Sequence, residues 1–259
     1  DWSSDVCSSD LTGLHEETGI ALSLTKKLAI SRVVGDPVWE RFVNSTGSKV
    51  SIQEFNNGQF KIPFKFVLQR KLLKFSLDKY HLIICPSKEL KGLISSWKVK
   101  TNTQVVNNFV DCSPLKSKKL KTYDFVTISR LVKWKRVDLA IEIAEKTKSS
   151  LAIVGDGPEL TPLKRKIKKD SKIFFLGKKN HQETKKILEA STALFLLSEY
   201  EGMSFTMLEA MNAGSLVVCS DIPSNKQVIQ DLKNGVLINN VKIESEINKL
   251  SKEIGRAHV

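Results

Sequence analysis

The chain has 259 residues, of which 41% are hydrophobic and 27% are charged, and its formal net charge is +13. This composition is that of a folded globular protein with room for two domains, and it argues against an intrinsically disordered chain. The longest apolar runs are far shorter than the roughly 20 residues of a membrane-spanning helix, while the excess of lysine and arginine suits an anionic partner.

The two ends of the chain are set apart from the rest by their coding. Residues 1–11 and 253–259 contain stretches that nearly complementary strands of a single oligonucleotide would encode, and that oligonucleotide matches a common sequencing adapter. We expect both segments to be translated adapter, so that the protein proper occupies residues 12–252. The protein proper is then even more basic, because the first segment holds three aspartates and no lysine or arginine.

Residues 12–113 predict an α/β lobe in which helices and strands alternate. The predicted elements are a helix near 20–28, a strand near 30–34, a helix near 66–80 and a strand at 81–85. The periodicity breaks at 111–121, where serine, proline and a cluster of lysines occur. We therefore place a boundary between two lobes after residue 113.

Residues 114–252 predict a second lobe with a parallel sheet. Its five apolar runs have the length of strands and lie at 125–128, 151–154, 173–176, 193–197 and 216–219. Between the first two, apolar residues recur at the spacing of one helix face, and before the fourth, Asn180 and Glu183 form a capping box. Continuous apolar strands separated by helices indicate a parallel sheet covered on both sides. The predicted fold class is α/β with two Rossmann-like lobes.

The cysteines indicate a compartment more than a chemistry. Cys85, Cys112 and Cys219 remain once the first segment is set aside, and they form no CxxC pair and have no histidine at metal-ligand spacing. Cys85 and Cys219 end apolar runs, so we expect buried structural thiols and a reducing cytoplasm.

The loop after the fourth strand of the second lobe gives the strongest chemical signal, since ligands of parallel sheets bind at the carboxyl ends of strands. Here Glu201 and Gly202 lead into a predicted helix at Phe205–Asn212, whose first amides lack intrahelical partners and whose dipole favours an anion. Gly202 permits close backbone approach and Ser204 can cap the helix. Glu209 can offer its carboxylate to a pair of sugar hydroxyls. We predict a phosphate site.

Two carboxylates eight positions apart, Glu201 and Glu209, resemble the Glu-x7-Glu signature of family 4 glycosyltransferases, a large retaining family with the two-lobed GT-B fold. By this resemblance, Glu201 contacts the transferred sugar and Glu209 binds the ribose. The diphosphate is then held by the backbone amides of Met203, Ser204 and Phe205. A surface loop followed by an ordinary helix with two solvated acids remains the alternative.

The segment Ser129–Asp138 is similar to the family's loop after the first donor-lobe strand, where an arginine and a lysine face the diphosphate. Arg130 and Lys135 match those positions. Fixed cations there stabilise the negative charge that grows on the leaving phosphate, so no metal is expected, and the chain has no Asp-x-Asp pair. Without the loop context, each cation would be an ordinary surface charge.

Two further loops of the second lobe resemble the family less specifically. Gly155, in Ile153–Pro158, and Lys178, beside the expected nucleotide base, are candidate contacts. Gly155 and Gly157 lack the third glycine and the acidic residue of a dinucleotide fingerprint, which argues against NAD.

In the first lobe, Val33–Glu40 resembles an acceptor-side loop, and Asp36 is a candidate to orient the acceptor or the transferred sugar. Turn formation and packing are an equally ordinary role for Asp36 and Trp39. Many family members have a histidine near this loop, and none occurs here, so a histidine-assisted mechanism is in doubt.

The resemblance implies a GT-B enzyme that moves a sugar from a UDP- or GDP-linked donor to a carbohydrate or lipid-linked acceptor, with retention of configuration and without a cofactor. The basic surface suits an anionic leaflet, so we expect a cytoplasmic protein that can lie on the inner face of the membrane. The family's opening strand with its glycine-rich loop and its closing helix are not visible. We therefore expect an incomplete N-terminal lobe and a fragment with little activity.

Two alternatives remain open. A sugar-nucleotide epimerase or phosphorylase of the same fold would form product without a sugar acceptor, although no cofactor lysine of a phosphorylase is identifiable. A basic protein that binds nucleic acid or membrane would ignore nucleotide sugars, but nucleic acid is not an expected partner because aromatics and lysines are not interleaved. The basic run 164–169 is interpreted as a solvated helix face.

Overall fold

The computed structural model describes residues 18–19, 22–24, 28–111 and 121–239. The chain forms two compact units that divide between Asn108 and Phe109. The predicted lobe boundary after residue 113 and the two segments expected to be adapter lie outside the described residues, so both remain predictions.

The first unit contains a three-stranded parallel sheet in the order β1–β2–β3. Its elements are β1 (Ile30–Arg32), α1 (Pro37–Thr46), α2 (Ile52–Asn56), α3 (Phe64–Leu77), β2 (Leu82–Cys85), α4 (Lys88–Ser96) and β3 (Thr103–Val105). Residues 18–19 and 22–24 are helical. Ile30 pairs with Leu82, and Ile83 pairs with Thr103. The predicted strands and the long helix are confirmed, whereas α1, α2, α4 and β3 were not predicted.

Helix α1 shows why part of this unit escaped prediction. The sequence predicts a loop at Val33–Glu40 because this segment resembles an acceptor-side loop of the family, and turn formation is an ordinary role for Asp36. In the structure Asp36 is the N-cap, Pro37 occupies the first helical turn and Gly47 closes the helix at φ 67°. The same residue types start and stop helices efficiently, and the apolar face of α1 packs into the core of the unit through Trp39 and Phe42.

The second unit contains a six-stranded parallel sheet in the order β6–β5–β4–β7–β8–β9. Its strands are β4 (Tyr123–Ile128), β5 (Leu151–Val154), β6 (Ile173–Gly177), β7 (Ser191–Leu196), β8 (Leu216–Ser220) and β9 (Val236–Ile238). Its helices are α5 (Val137–Lys146), α6 (Leu160–Lys166), α7 (His181–Glu189), α8 (Phe205–Asn212) and α9 (Pro223–Lys226), with a short 3₁₀ turn at Lys133–Lys135. The five predicted strands are confirmed, and β9 is an addition.

Apolar side chains cover both faces of this sheet. Phe125 and Leu151 belong to a cluster with α5 and α6, whereas the neighbouring Val126 and Ala152 belong to a second cluster with α7 and α8. The alternation follows from the pleat, which turns successive side chains to opposite faces. The central strands β4 and β7 are thereby buried from both sides, as predicted, and their carboxyl ends lie next to each other.

The remaining predictions concern the thiols and the membrane. Cys85 and Cys219 are buried free cysteines, as predicted, and burial raises the pKa of the Cys219 thiol to about 12. Cys112 lies outside the described residues. Among the helices that the structure describes, none is both long and apolar enough to cross a membrane.

Candidate functional site

Glu201 lies in the loop between β7 and α8, where two side chains converge on one of its oxygens. The ammonium of Lys135 donates to Glu201 Oε1 at 2.6 Å, and the hydroxyl of Ser198 donates to the same oxygen at 2.6 Å. Lys135 comes from the loop after β4, which is the neighbour of β7 in the sheet. The strand order therefore brings together two residues that the sequence predicted to share a site. Both hydrogen bonds are to Glu201 Oε1, and neither involves Glu201 Oε2.

The 3₁₀ turn that presents Lys135 is fixed against the loop after β7. The backbone amide of Glu199 donates to the carbonyl of Trp134 at 2.8 Å, and the Trp134 ring is buried. The next residue, Arg136, has φ 50° and pairs with Glu199 at 3.4 Å. These contacts fix the loop that bears Lys135 against the loop that bears Glu201, the carboxylate that Lys135 binds.

A chain of buried polar groups supports Glu201 from beneath. The Ser220 hydroxyl donates to the carbonyl of Ser198 at 2.6 Å, and the Asn225 amide donates to the carbonyl of Ser220 at 2.9 Å. All three residues are buried. These hydrogen bonds connect α9 and the end of β8 to the loop that contains Glu201. Sequence reasoning missed these residues, and the only signal was that serine follows the apolar runs of two adjacent strands.

Helix α8 begins at Phe205 and ends at Asn212, as predicted. Ser204 is its N-cap, and the Ser204 hydroxyl accepts a hydrogen bond from the backbone amide of Met207 at 3.3 Å. The N-terminal turn of the helix, with its positive dipole end, therefore lies directly after Glu201 and Gly202. Of the three residues whose amides were predicted to hold a diphosphate, Phe205 is the first of the helix, Ser204 is its cap and Met203 precedes the cap.

Glu209, in the second turn of α8, meets a residue that the sequence did not single out. The His181 Nδ1 lies 3.3 Å from Glu209 Oε1, which places the start of α7 beside α8. Burial raises the pKa of the Glu209 carboxyl, and the charge of His181 acts in the opposite direction. The sequence offered only the position of His181 as a signal for the site. His181 starts α7, shortly after the candidate residue Lys178 in the loop beyond β6.

The remaining candidates of this unit lie along the same edge of the sheet. Arg130 is exposed, and its guanidinium lies 5.7 Å from the centre of the Trp134 ring. Lys178 is also exposed. Within the part of the chain that the structure describes, no group of three or more histidine, cysteine or acidic side chains is arranged to hold a metal ion.

Comparison with known proteins shows to which family the chain belongs. Residues 114–254 match the family model of glycosyl transferases group 1, which is more than half of the chain. The chain belongs to this family. The O-antigen biosynthesis glycosyltransferase WbnH of Escherichia coli is 30% identical over 191 residues, which cover 73% of this chain and 54% of WbnH. The chain thus spans about half the length of the curated relatives that it matches first.

Two solved structures are similar to this chain in fold. A Staphylococcus aureus TarM mutant in complex with fondaparinux, alpha-GlcNAc-glycerol and UDP is 27% identical, with a TM-score of 0.61 over 71% of this chain and 40% of TarM. Anabaena HepE in complex with UDP-glucose is 16% identical, with a TM-score of 0.70 over 95% of this chain and 68% of HepE. The second likeness concerns the fold alone. Together they confirm the predicted GT-B class, with two Rossmann-like α/β lobes.

Within this group 1 glycosyltransferase chain, Gly155 has a structural reason to be glycine. It has φ 134°, and a Cβ at this position would lie 1.9 Å from the carbonyl oxygen of Ser129. The loop after β5 therefore packs its backbone directly on the loop after β4, which bears Arg130 and Lys135. A direct ligand contact by Gly155 remains a prediction.

Asp36 lies in the first unit and has the contacts of a packing residue. Its Oδ1 accepts the backbone amides of Val38 and Trp39 at 3.0 and 3.1 Å. Its Oδ2 accepts the side chains of Asn56 and Arg70 at 2.9 and 2.5 Å, and the residue is fully buried. These are the contacts of an N-cap and packing residue, and a sugar hydroxyl would have to displace one of the four donors. A role of Asp36 toward the acceptor or the transferred sugar remains a prediction.

Proposed function

We propose that this chain is part of a glycosyltransferase that moves a sugar from a nucleotide diphosphate to a carbohydrate or lipid-linked acceptor, with retention of configuration and without a metal ion. The observation that carries the proposal is the Lys135–Glu201 ion pair at the N terminus of α8. It places a cation, a carboxylate and a helix dipole in one small region at the carboxyl edge of the sheet.

Each group then has a separate task. The amides of Met203, Ser204 and Phe205, at the N terminus of α8, receive the diphosphate, and Gly202 lets the chain approach it. Glu209 accepts from the ribose hydroxyls, and Lys178 lies toward the base. Glu201 accepts from a hydroxyl of the transferred sugar through Oε2, because its other oxygen already binds Lys135 and Ser198.

The cations would act on the transition state. When the glycosidic bond breaks, negative charge grows on the leaving diphosphate, and fixed positive groups stabilise that charge more than they stabilise the bound donor. Arg130 and Lys135 are assigned this task. Since Glu201 holds Lys135 in place before the donor binds, little reorganisation is needed during the reaction.

The relatives support the substrate classes. The TarM and HepE structures were obtained with UDP or UDP-glucose, so a UDP-linked donor is proposed ahead of a GDP-linked one. WbnH is named for O-antigen biosynthesis, and another relative is an alpha-monoglucosyldiacylglycerol synthase of Streptococcus pneumoniae, 21% identical over 222 residues. These names suit a carbohydrate or lipid-linked acceptor, and we propose a cytoplasmic protein that can lie on the inner face of the membrane.

A binding panel tests the donor site without requiring turnover. UDP, GDP, UDP-glucose and UDP-N-acetylglucosamine are added to the 259-residue chain, and the thermal unfolding midpoint is followed, because a ligand of the native state raises it. We expect UDP compounds to raise the midpoint and Glu209→Ala to reduce the rise. If no nucleotide diphosphate shifts the midpoint of the folded chain, the proposed site is wrong.

Measurements of transferase turnover test the fragment interpretation and the roles of Arg130 and Glu209. We expect little transferase activity from this chain, so robust turnover by the purified protein would contradict our interpretation of it as a fragment. In the intact enzyme, Arg130→Ala should lower turnover more than donor affinity, and Glu209→Ala should do the opposite.

A further inference from the structure

Helix α3 has two apolar faces on opposite sides. Phe66, Leu73 and Leu77 are buried in the first unit. On the other side, four large apolar residues are exposed: Phe64 to 80%, Leu68 to 49%, Leu72 to 45% and Phe75 to 46%. Their spacing of four, four and three residues aligns them in one stripe along the helix. Contiguous apolar surface of this kind marks an interaction site.

Lysines border the stripe. Lys65, Lys71 and Lys79 are exposed on the same side, and the Lys79 ammonium lies 4.7 Å from the centre of the Phe75 ring. The nearby Asp78 is paired with Lys74, and it is the only acidic residue among positions 64–79, all of which the structure describes. We call the exposed side of this helix the basic apolar face: Phe64, Lys65, Leu68, Lys71, Leu72, Phe75 and Lys79.

We propose that the basic apolar face binds an anionic lipid surface. Helix α3 would lie in the plane of the membrane interface, with its phenylalanines and leucines among the upper acyl chains. The lysines would reach lipid phosphates while their stems cover apolar surface. Charge complementarity selects this occupant, because a nucleic acid would use the lysines but leave the apolar stripe in water.

The basic run 164–169 of the second unit differs from the basic apolar face. Five of its six residues are cations, and the neighbouring Leu163 is buried. The exposed surface of this run therefore offers positive charge without an apolar stripe. It can attract an anionic surface but has little to insert. Substitutions in this run therefore provide a control with the same loss of charge. Since α3 belongs to the first unit, the proposal does not depend on the donor site of the second.

Vesicle sedimentation tests the assignment. The 259-residue chain is mixed at low salt with sucrose-loaded vesicles of phosphatidylcholine, with or without phosphatidylglycerol. We expect binding to the anionic vesicles, and a loss of about tenfold or more in both Leu68→Gln/Leu72→Gln and Lys65→Gln/Lys71→Gln. The control variant Lys166→Gln/Lys169→Gln should lose much less. Absence of binding by the folded chain, or equal losses in the control and the face variants, would overturn the proposal.

Two further measurements separate insertion from its rivals. A tryptophan introduced as Phe75→Trp should be quenched by brominated lipid chains if the face inserts, and unchanged fluorescence would rule out insertion. Sedimentation velocity checks for a second copy, since a parent dimer that Leu68→Gln/Leu72→Gln converts to a monomer would assign the face to self-association instead. Thermal unfolding confirms that each variant is folded, which is expected because all substituted side chains are exposed.

Discussion

The ammonium of Lys135 lies 2.6 Å from Glu201 Oε1, although 66 positions separate the two residues in the chain. Their side chains are only 17% and 10% exposed, so water screens this ion pair much less than a surface pair. The pair joins the loops after β4 and β7 at the centre of the sheet. Removal of one partner would leave a largely buried charge without compensation.

Lys135→Met should therefore destabilise the second unit. We expect a loss of about 1–3 kcal/mol in the free energy of unfolding, measured by urea denaturation, because the Glu201 carboxylate keeps its burial but loses its cation. Lys146→Met is the matched control, since the Lys146–Glu142 pair is far more exposed. It should change stability by about 0.5 kcal/mol or less. Equal effects of the two variants would show that the Lys135–Glu201 pair behaves as a surface pair.

The polar chain beneath Glu201 gives a second prediction. Ser220→Ala removes the hydroxyl that donates to the carbonyl of Ser198, so the loop bearing Glu201 should become less ordered. We expect a stability loss of about 1–2 kcal/mol and weaker binding of UDP-glucose, with UDP itself less affected. Isothermal titration calorimetry with both ligands measures the difference. A uniform loss for UDP and UDP-glucose would assign Ser220 to general stability instead of to the position of Glu201.

The environment of Glu209 predicts opposite effects of pH on stability and on binding. Burial raises the pKa of this carboxyl above its ordinary value of 4.5, so the folded state favours the protonated form. Its contribution to stability is present below 4.5 and is lost as pH rises through the folded pKa. Binding of ribose hydroxyls by the ionised carboxylate should instead strengthen over the same rise. UDP titrations and thermal unfolding across this window measure both trends.

Two variants isolate Glu209 in that experiment. Glu209→Gln should abolish both trends while preserving the shape of the side chain. His181→Ala should move both trends to higher pH, because the charge of His181 lowers the pKa of Glu209. If UDP binding is independent of pH in the parent chain and unchanged in Glu209→Gln, then Glu209 does not bind the ribose.

Much of the second unit was predictable because its strands are continuous apolar runs with polar loops between them. The bounds of α8 followed from its cap at Ser204. By contrast, β9 has only three residues, Val236–Ile238, and a run of that length has no distinctive period. Its place at the edge of the sheet depends on pairing with β8, which is a tertiary contact.

The site was predictable in its parts but not in its contacts. The family resemblance located Glu201 and Lys135, yet their hydrogen bond depends on β4 and β7 being neighbours in the sheet, which sequence order does not reveal. The support from Ser220 and Asn225 depends on β8 in the same way. His181 escaped because a lone histidine at a helix start has no distinguishing pattern until Glu209 is found beside it.

The close packing of Gly155 gives the last prediction. Gly155→Ala would place a methyl group 1.9 Å from the carbonyl oxygen of Ser129 at φ 134°, so we expect a loss of about 2–4 kcal/mol in stability. Gly92→Ala is the control, because Gly92 lies within α4 with no other atom close to the added methyl group. It should stabilise the first unit by about 0.5–1 kcal/mol. A Gly155→Ala chain that unfolds like the parent but binds UDP more weakly would assign Gly155 to ligand approach instead of loop packing.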